Sequence, residues 1–468
     1  MICVSDGEYM QFIGRQHELS LIRRRLTSGR SEALLVYGRR RVGKSELIKE
    51  ALKGADAVVI HYVCRKTSFS QNLAGLTRAA AQAFDESFID FSSIDKLLKY
   101  VYSKAVSQKV VLFIDEYPFL RGDDESIDSE FQIAIDEWQH QSCLKLILCG
   151  SYMETMQKVM EGQAPLFGRF TEIVKLQAFD YYEAALFYPD RTDEEKLFLY
   201  SIFGGIPFYL MQLDDRLSPA ENVQRLLIPE GSFLENEIRL QLTAELSKEE
   251  NANYVLEKIA GGVGRYSEIA QNFSGSSGRL SHTLGKLEGM GLIEKDSPIN
   301  ASSNKRQHRY VISDNLLDFY YSFLFREMTA RSAMAPEAFY HTKIETALNG
   351  SYLPRKFEQA AAEYLLRQNR ANKIEPPFFA IGRYVYHDKA KRQNGEFDVV
   401  TEDERGLISY ECKYRKEPLG MKVIHEEEWQ AKELGLNFYG FGFFSRSGFA
   451  EDVDRDAYRL VTLKDMYM

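Results

Sequence analysis

The chain has 468 residues, with Lys plus Arg at 59, Asp plus Glu at 68 and a net charge of −9, so its surface as a whole is no trap for polyanions. Apolar residues make up 44% and charged residues 27%, ordinary globular usage, and the length suits about three domains. No apolar run approaches the ~18 residues of a membrane span, no N-terminal stretch reads as a leader, and the five cysteines (Cys3, Cys64, Cys143, Cys149, Cys412) are scattered, so a reduced, cytoplasmic protein without membrane attachment is expected.

The first informative segment runs from Ala33 to Leu52. Ala33–Tyr37 reads as a buried strand, Gly38–Ser45 (GRRRVGKS) fits GxxxxGK[ST], and Glu46–Leu52 reads as a helix. That order places ATP and Mg²⁺ here. Backbone N–H groups of Gly38, Arg41, Val42 and Gly43 and the helix start at Glu46 face the phosphates. Lys44 reaches the β and γ oxygens, and the Ser45 hydroxyl ligates Mg²⁺.

Val110–Ile114 is a second apolar run, followed by Asp115 and Glu116. It reads as a central parallel strand, whose C-terminal end is where open α/β sheets bind ligands. Asp115 then holds Mg²⁺ through water and Glu116 polarises the attacking water. A plain helix cap is the alternative. Leu144–Cys149 reads as a third strand. Ser151 after it either points at the γ-phosphate or caps the next helix, with Glu154 completing a capping box.

Asp190–Leu246 has helical spacing broken by Gly204, Gly205 and Pro207, and reads as a small lid on the nucleotide domain. Three helical segments follow: Tyr254–Ile259, Tyr266–Gln271 with Ser267 as its cap, and Gly278–Glu288. The last carries Arg279, His282 and Lys286 opposite Leu280, Leu284 and Leu287. Strands near Gly291 and Tyr310–Ile312 flank Lys305–Arg309. This is the pattern of a winged helix, able to lay a basic helix in the major groove of duplex DNA or to serve as a hinge.

Near the end, Glu396–Val400 and Leu407–Lys413 read as strands around a polar turn. A hairpin centred on Glu404 and Arg405 sets Asp398 opposite Glu411. Lys413 then shares the Glu411 face, and Cys412 points away. Two carboxylates and a lysine on one face are the makings of a Mg²⁺ site that activates water.

Taken in order, these segments resemble the P-loop ATPases of the STAND and AAA+ group, especially the archaeal-type ATPases. Phe12-Ile-Gly14-Arg15 with Glu18-Leu19 looks like that group's adenine-contacting box. Pro165–Arg169 looks like the segment whose arginine approaches the nucleotide. Gly204–Pro207 resembles its Gly-x-Pro motif, with Pro207 near the base, and Tyr310–Tyr321 resembles the aromatic segment after its winged helix. The Asp398…Glu411-x-Lys413 set resembles the PD-(D/E)xK endonuclease-like superfamily. Glu358, on a helix Leu353–Leu366, matches its acidic helix residue, although Phe397 stands where proline often precedes the aspartate.

The resemblance implies an α/β architecture. A P-loop parallel sheet (1–189) is followed by a helical lid (190–249), a winged helix (250–325) and a restriction-endonuclease-like α/β domain (326–468). It implies Glu116, Lys44 and Arg169 acting on ATP, Asp398, Glu411 and Lys413 acting in the final domain, and Mg²⁺ on Ser45 and Asp115 and again on Asp398, Glu411 and Glu358. The expected function is ATP hydrolysis coupled to a DNA-associated, Mg²⁺-dependent nuclease-like domain. The alternative is a STAND-type switch that binds DNA or a protein partner without cutting. An oligomer is compatible with both.

Overall fold

The computed structural model describes residues 12–87, 90–246, 251–388 and 393–468. Cys3 and the expected boundary at 249/250 lie outside them. The chain divides into two compact units that meet in sequence at Ala178 and Phe179.

The first unit is a five-stranded parallel sheet with helices on both faces. Its strands are β1 (Glu32–Tyr37), β2 (Val58–Val63), β3 (Val110–Asp115), β4 (Lys145–Gly150) and β5 (Glu172–Lys175), in the order β2-β3-β4-β1-β5. Every ladder is parallel. The unbroken apolar runs follow from this. In β1, Leu34 and Val36 enter one core, while Ala33, Leu35 and Tyr37 enter the core on the opposite face. β3 and β4 divide in the same way, so all three strands are buried along their whole length. Because β4 lies between β1 and β3, the segments leaving all three strands meet at one end of the sheet. That end carries the residues singled out above.

The second unit begins with helices. Asp193–Phe203, Pro219–Leu226 and Phe233–Leu246 cover the stretch read as a lid. Their apolar faces share one core with the rest of this unit, from Tyr181 through Phe357 to Met466. Gly205 is required where the chain packs against itself: a β-carbon there would sit 1.9 Å from the Phe179 carbonyl oxygen. Helices Ala252–Ala260, Tyr266–Ala270 and Ser277–Gly289 precede the antiparallel pair β6 (Ile293–Asp296) and β7 (Arg309–Ile312). Ser267 does not cap the second helix. Arg265 is extended and bridges to Arg309, so the helix starts at Tyr266, and Glu268 reaches back to the Arg265 N–H at 3.4 Å. Ser276 caps the third helix by accepting from the Arg279 N–H.

The last part is a mixed sheet of β8 (Ala380–Asp388), β9 (Gln393–Asp403), β10 (Gly406–Lys413), β11 (Phe438–Ser445) and β12 (Arg459–Thr462), in the order β12-β11-β10-β9-β8. The long helix Leu353–Arg370 buries Phe357, Ala360, Ala361 and Leu365 in the shared core. The β6–β7 hairpin is tied to this sheet. Ile299 donates its N–H to the Arg383 carbonyl, and the Asn300 amide bonds the Val385 N–H and carbonyl on β8. Arg309 and Arg383 form an ionic ring with Asp296 and Glu396, at 2.6–3.4 Å.

Candidate nucleotide site and a carboxylate cluster

The phosphate loop is shaped by two glycines. A β-carbon on Gly38 would lie 2.2 Å from the Leu176 carbonyl oxygen, and Gly43 adopts φ 91° at the start of the helix Lys44–Leu52. Val42 is buried and anchors the loop to the core behind it. Lys44 is buried at the loop mouth, where Nζ donates to the Gly38 carbonyl at 3.0 Å and the Arg39 carbonyl at 2.8 Å. Burial pushes its ammonium below the ordinary lysine value, and nearby Glu116 and Asp115 pull back upward. Glu46 pairs with Lys49 at the surface, at 2.9 Å.

Ser45 Oγ donates to Asp115 Oδ2 at 2.6 Å, and Asp115 Oδ1 accepts the Glu116 N–H at 3.0 Å. A serine hydroxyl beside an aspartate at the mouth of a phosphate loop is the hard-oxygen pair that Mg²⁺ takes alongside phosphate, so these residues fit that ion. Glu116 sits at φ 53° and its side chain caps no helix. Instead Ser151 Oγ donates to its carboxylate, 2.8–2.9 Å from the two oxygens, and the Ser151 N–H approaches at 3.3 Å. The capping box between Ser151 and Glu154 does not form, because the helix starts at Met153 after Tyr152.

Gly14 and Arg15 follow one another at φ 67° and 60°. Arg15 is buried, pairs with Glu18 at 3.3 Å and donates to the Gln177 carbonyl just past β5. Arg169 is engaged by Asp136 through two bonds of 3.2 and 3.3 Å and by the Phe167 carbonyl at 2.8 Å. Pro207 opens a short helix, Pro207–Leu210, of the second unit.

The second cluster lies on the C-terminal sheet. β9 and β10 pair with Gly406 opposite Asp403 and Tyr410 opposite Val399, around the turn Glu404-Arg405. Asp398 and Glu411 follow on the two strands beyond the last paired residues, near enough for the charge of Glu411 to act on Asp398. Lys413 contacts Glu411 and lies 3.6 Å from Glu427 on the helix Met421–Glu433. Burial, then the charges of Asp398 and Glu411, push the Glu358 carboxyl up to about 8. Burial, then Glu411, push Asp398 up to about 6. Burial and Glu427 raise Glu411 against the pull of Lys413. Lys413 is held above its ordinary value: burial opposes its charge, and Glu411 and Glu427 outweigh it. Glu427 escaped the sequence reading because it sits in the run Glu426-Glu-Glu428, where spacing alone does not say which acid points inward. The cluster is not arranged around an ion. Among the described residues no group of three or more His, Cys, Asp or Glu is placed to hold a metal, and Lys413 already engages Glu411.

Residues 12–213 match the family described as an ATPase domain predominantly from Archaea. Over these residues the chain is similar to the archaeal-type P-loop ATPases. Residues 320–430 match a second family, described as archaeal and bacterial proteins of unknown function. An uncharacterised protein of Methanocaldococcus jannaschii is 27% identical to this chain over 433 residues, 92% of this chain and 93% of the relative. Among solved structures, a Walker-type ATPase of Pyrococcus abyssi is 19% identical, with 66% of this chain and 96% of that one covered at a TM-score of 0.49. A STAND protein with a tetratricopeptide repeat sensor from Pyrococcus horikoshii is 16% identical, with 79% and 51% covered at a TM-score of 0.31. No described helix is long and apolar enough to cross a membrane.

Proposed function

We propose that the first unit binds and hydrolyses ATP. The observation that carries this reading is the chain of contacts from Ser45 to Asp115 and from Glu116 to Ser151, at the end of the sheet where Lys44 also lies. Lys44 and the loop N–H groups bind the phosphates, and Ser45 and Asp115 would hold Mg²⁺, which when bound would neutralise phosphate charge. Glu116 accepts a proton from water as that water's oxygen bonds the γ-phosphorus. The bond from phosphorus to the bridging oxygen breaks, and its electron pair leaves with ADP. A pure nucleotide binder needs no such carboxylate. Lys44→Ala is expected to abolish ATP binding. Glu116→Gln keeps binding within about threefold and lowers turnover by about 10² or more. Equal loss of both properties in both variants, by equilibrium binding and phosphate release, would refute these roles.

The second unit is read as the part that nucleotide state acts on. Its three helices and hairpin form a winged helix that contacts duplex DNA through the face carrying Arg279 and Lys286. The cluster of Glu358, Asp398, Glu411, Lys413 and Glu427 supports a nuclease-like reading, because displaced ionisation concentrates where chemistry is done. Its arrangement does not fit a preformed metal site, and no step is assigned to Mg²⁺ there. Nicking of supercoiled duplex by the full chain, lost in Asp398→Ala and in Lys413→Ala, is the expected result. Nicking that survives both changes, or none by the wild type, leaves the regulatory switch as the function.

A further inference from the structure

The phosphate loop carries three arginines between its glycines, which binding phosphate through backbone N–H groups does not require. Arg40 has a defined place. Its guanidinium lies 5.2 Å from the centre of the Tyr152 ring and donates to the Tyr152 hydroxyl at 2.9 Å. Tyr152 is held in turn by an edge-on contact with Phe119 at 5.3 Å. Tyr152 directly follows Ser151, the residue bonded to Glu116. Arg40 is also near enough to Lys44 to help lower its ammonium. The guanidinium is therefore tied to the residue that follows Ser151 and lies within electrostatic range of Lys44. Arg169, the arginine expected to approach the nucleotide, is instead spanned by Asp136.

We propose that Arg40 is the arginine that neutralises charge on the γ-phosphate during hydrolysis, and that Tyr152 is the positioning residue that holds it beside Glu116. The assignment rests on the ATP-hydrolysis reading above. Its physical logic is local. Negative charge moves toward the bridging oxygen as the phosphoryl group leaves, and a cation supplied within the same chain lowers that barrier. Arg40 changes no covalent bond; the proton still goes to Glu116 and the electron pair to ADP. The loop delivers the cation without help from a second protein, so a basal rate is built into the isolated chain. Arg40 is exposed, so its replacement leaves the core untouched.

The test uses the full chain and measures equilibrium binding of ATP and ADP together with single-turnover hydrolysis. Arg40→Ala is expected to lower the hydrolysis rate about 10²-fold or more and to weaken ATP about tenfold, with ADP within about twofold. Arg40→Lys, which keeps the charge, recovers most of the preference for ATP over ADP and part of the rate. Tyr152→Leu removes both the ring and the hydroxyl, and is expected to lower turnover about tenfold with ADP binding unchanged. The same measurement on Arg169→Ala separates the two arginines: a larger loss there than in Arg40→Ala overturns the assignment. If the wild-type chain binds neither nucleotide, the ATP reading falls and the role of Arg40 with it. If it binds and hydrolyses ATP while Arg40→Ala matches it in both preference and rate, Arg40 alone is wrongly assigned.

Discussion

Glu363 is a carboxyl group placed where burial works against its charge. Its oxygens accept from the Tyr181 N–H at 3.0 Å, the Tyr200 hydroxyl at 2.8–2.9 Å and the Gln359 amide at 3.0 Å. Burial outweighs these donors and pushes the group up to about 7. An unfolded glutamate titrates near 4.3. Between those two values the folded chain keeps a proton that the unfolded chain has released. Stability attributable to this residue is thus full below about 4.5, falls as pH rises toward 7, and is level above. Glu363→Gln cannot ionise and still offers an oxygen to Tyr181. The denaturation midpoint of the wild type is expected to fall more between pH 5 and pH 8 than that of Glu363→Gln. Parallel pH profiles for the two proteins would show that Glu363 is ionised across that range.

At the scale of elements, what could be read ahead was local and what could not was long-range. The strand Glu32–Tyr37, the loop and the helix Lys44–Leu52 are contiguous, and the turn Glu404-Arg405 fixes the register of β9 on β10 through the period of two. Both were legible from residue order. Ser151 was legible as a polar residue after a buried strand, but its bond to Glu116 depends on β4 lying beside β3, which no single segment encodes. Ser267 shows the opposite error. A serine before a helical pattern is a good cap, yet the pairing of Arg265 with Arg309, distant in sequence, decided where that helix starts. The stretch expected as a lid is helical, and its apolar faces share the core of the second unit. Three π-helical turns between Tyr320 and Tyr352 have no counterpart in the hydrophobic spacing, since a five-residue bond pattern leaves no period of its own over one turn.

At the scale of the whole molecule, a net charge of −9 must be reconciled with the proposed DNA contact, and the placement of the cations makes the reconciliation quantitative. The helix–hairpin module holds several basic residues, but not all of them are available to phosphate. Arg309 is enclosed in the ring with Asp296, Glu396 and Arg383, and His308 lies 2.8 Å from the Ser302 carbonyl. The proposed contacting set is Arg279 and Lys286 on the helix Ser277–Gly289, which also keep contacts within the protein, with the exposed Lys305 and Arg306 on the hairpin loop. Each phosphate neutralised contributes about 0.9 to the slope of log affinity against log salt, so four cations give a slope of about −3 to −4. Lys286→Ala or Lys305→Ala is expected to reduce its magnitude by about one, uniformly across DNA sequences. Arg309→Gln leaves it unchanged within about half a unit, because that arginine is already paired with Asp296 and Glu396. Titrations of duplex DNA at a series of salt concentrations check all three. A slope near zero would remove DNA contact by this module, and a slope that falls with Arg309→Gln would mean that the ionic ring opens when DNA binds.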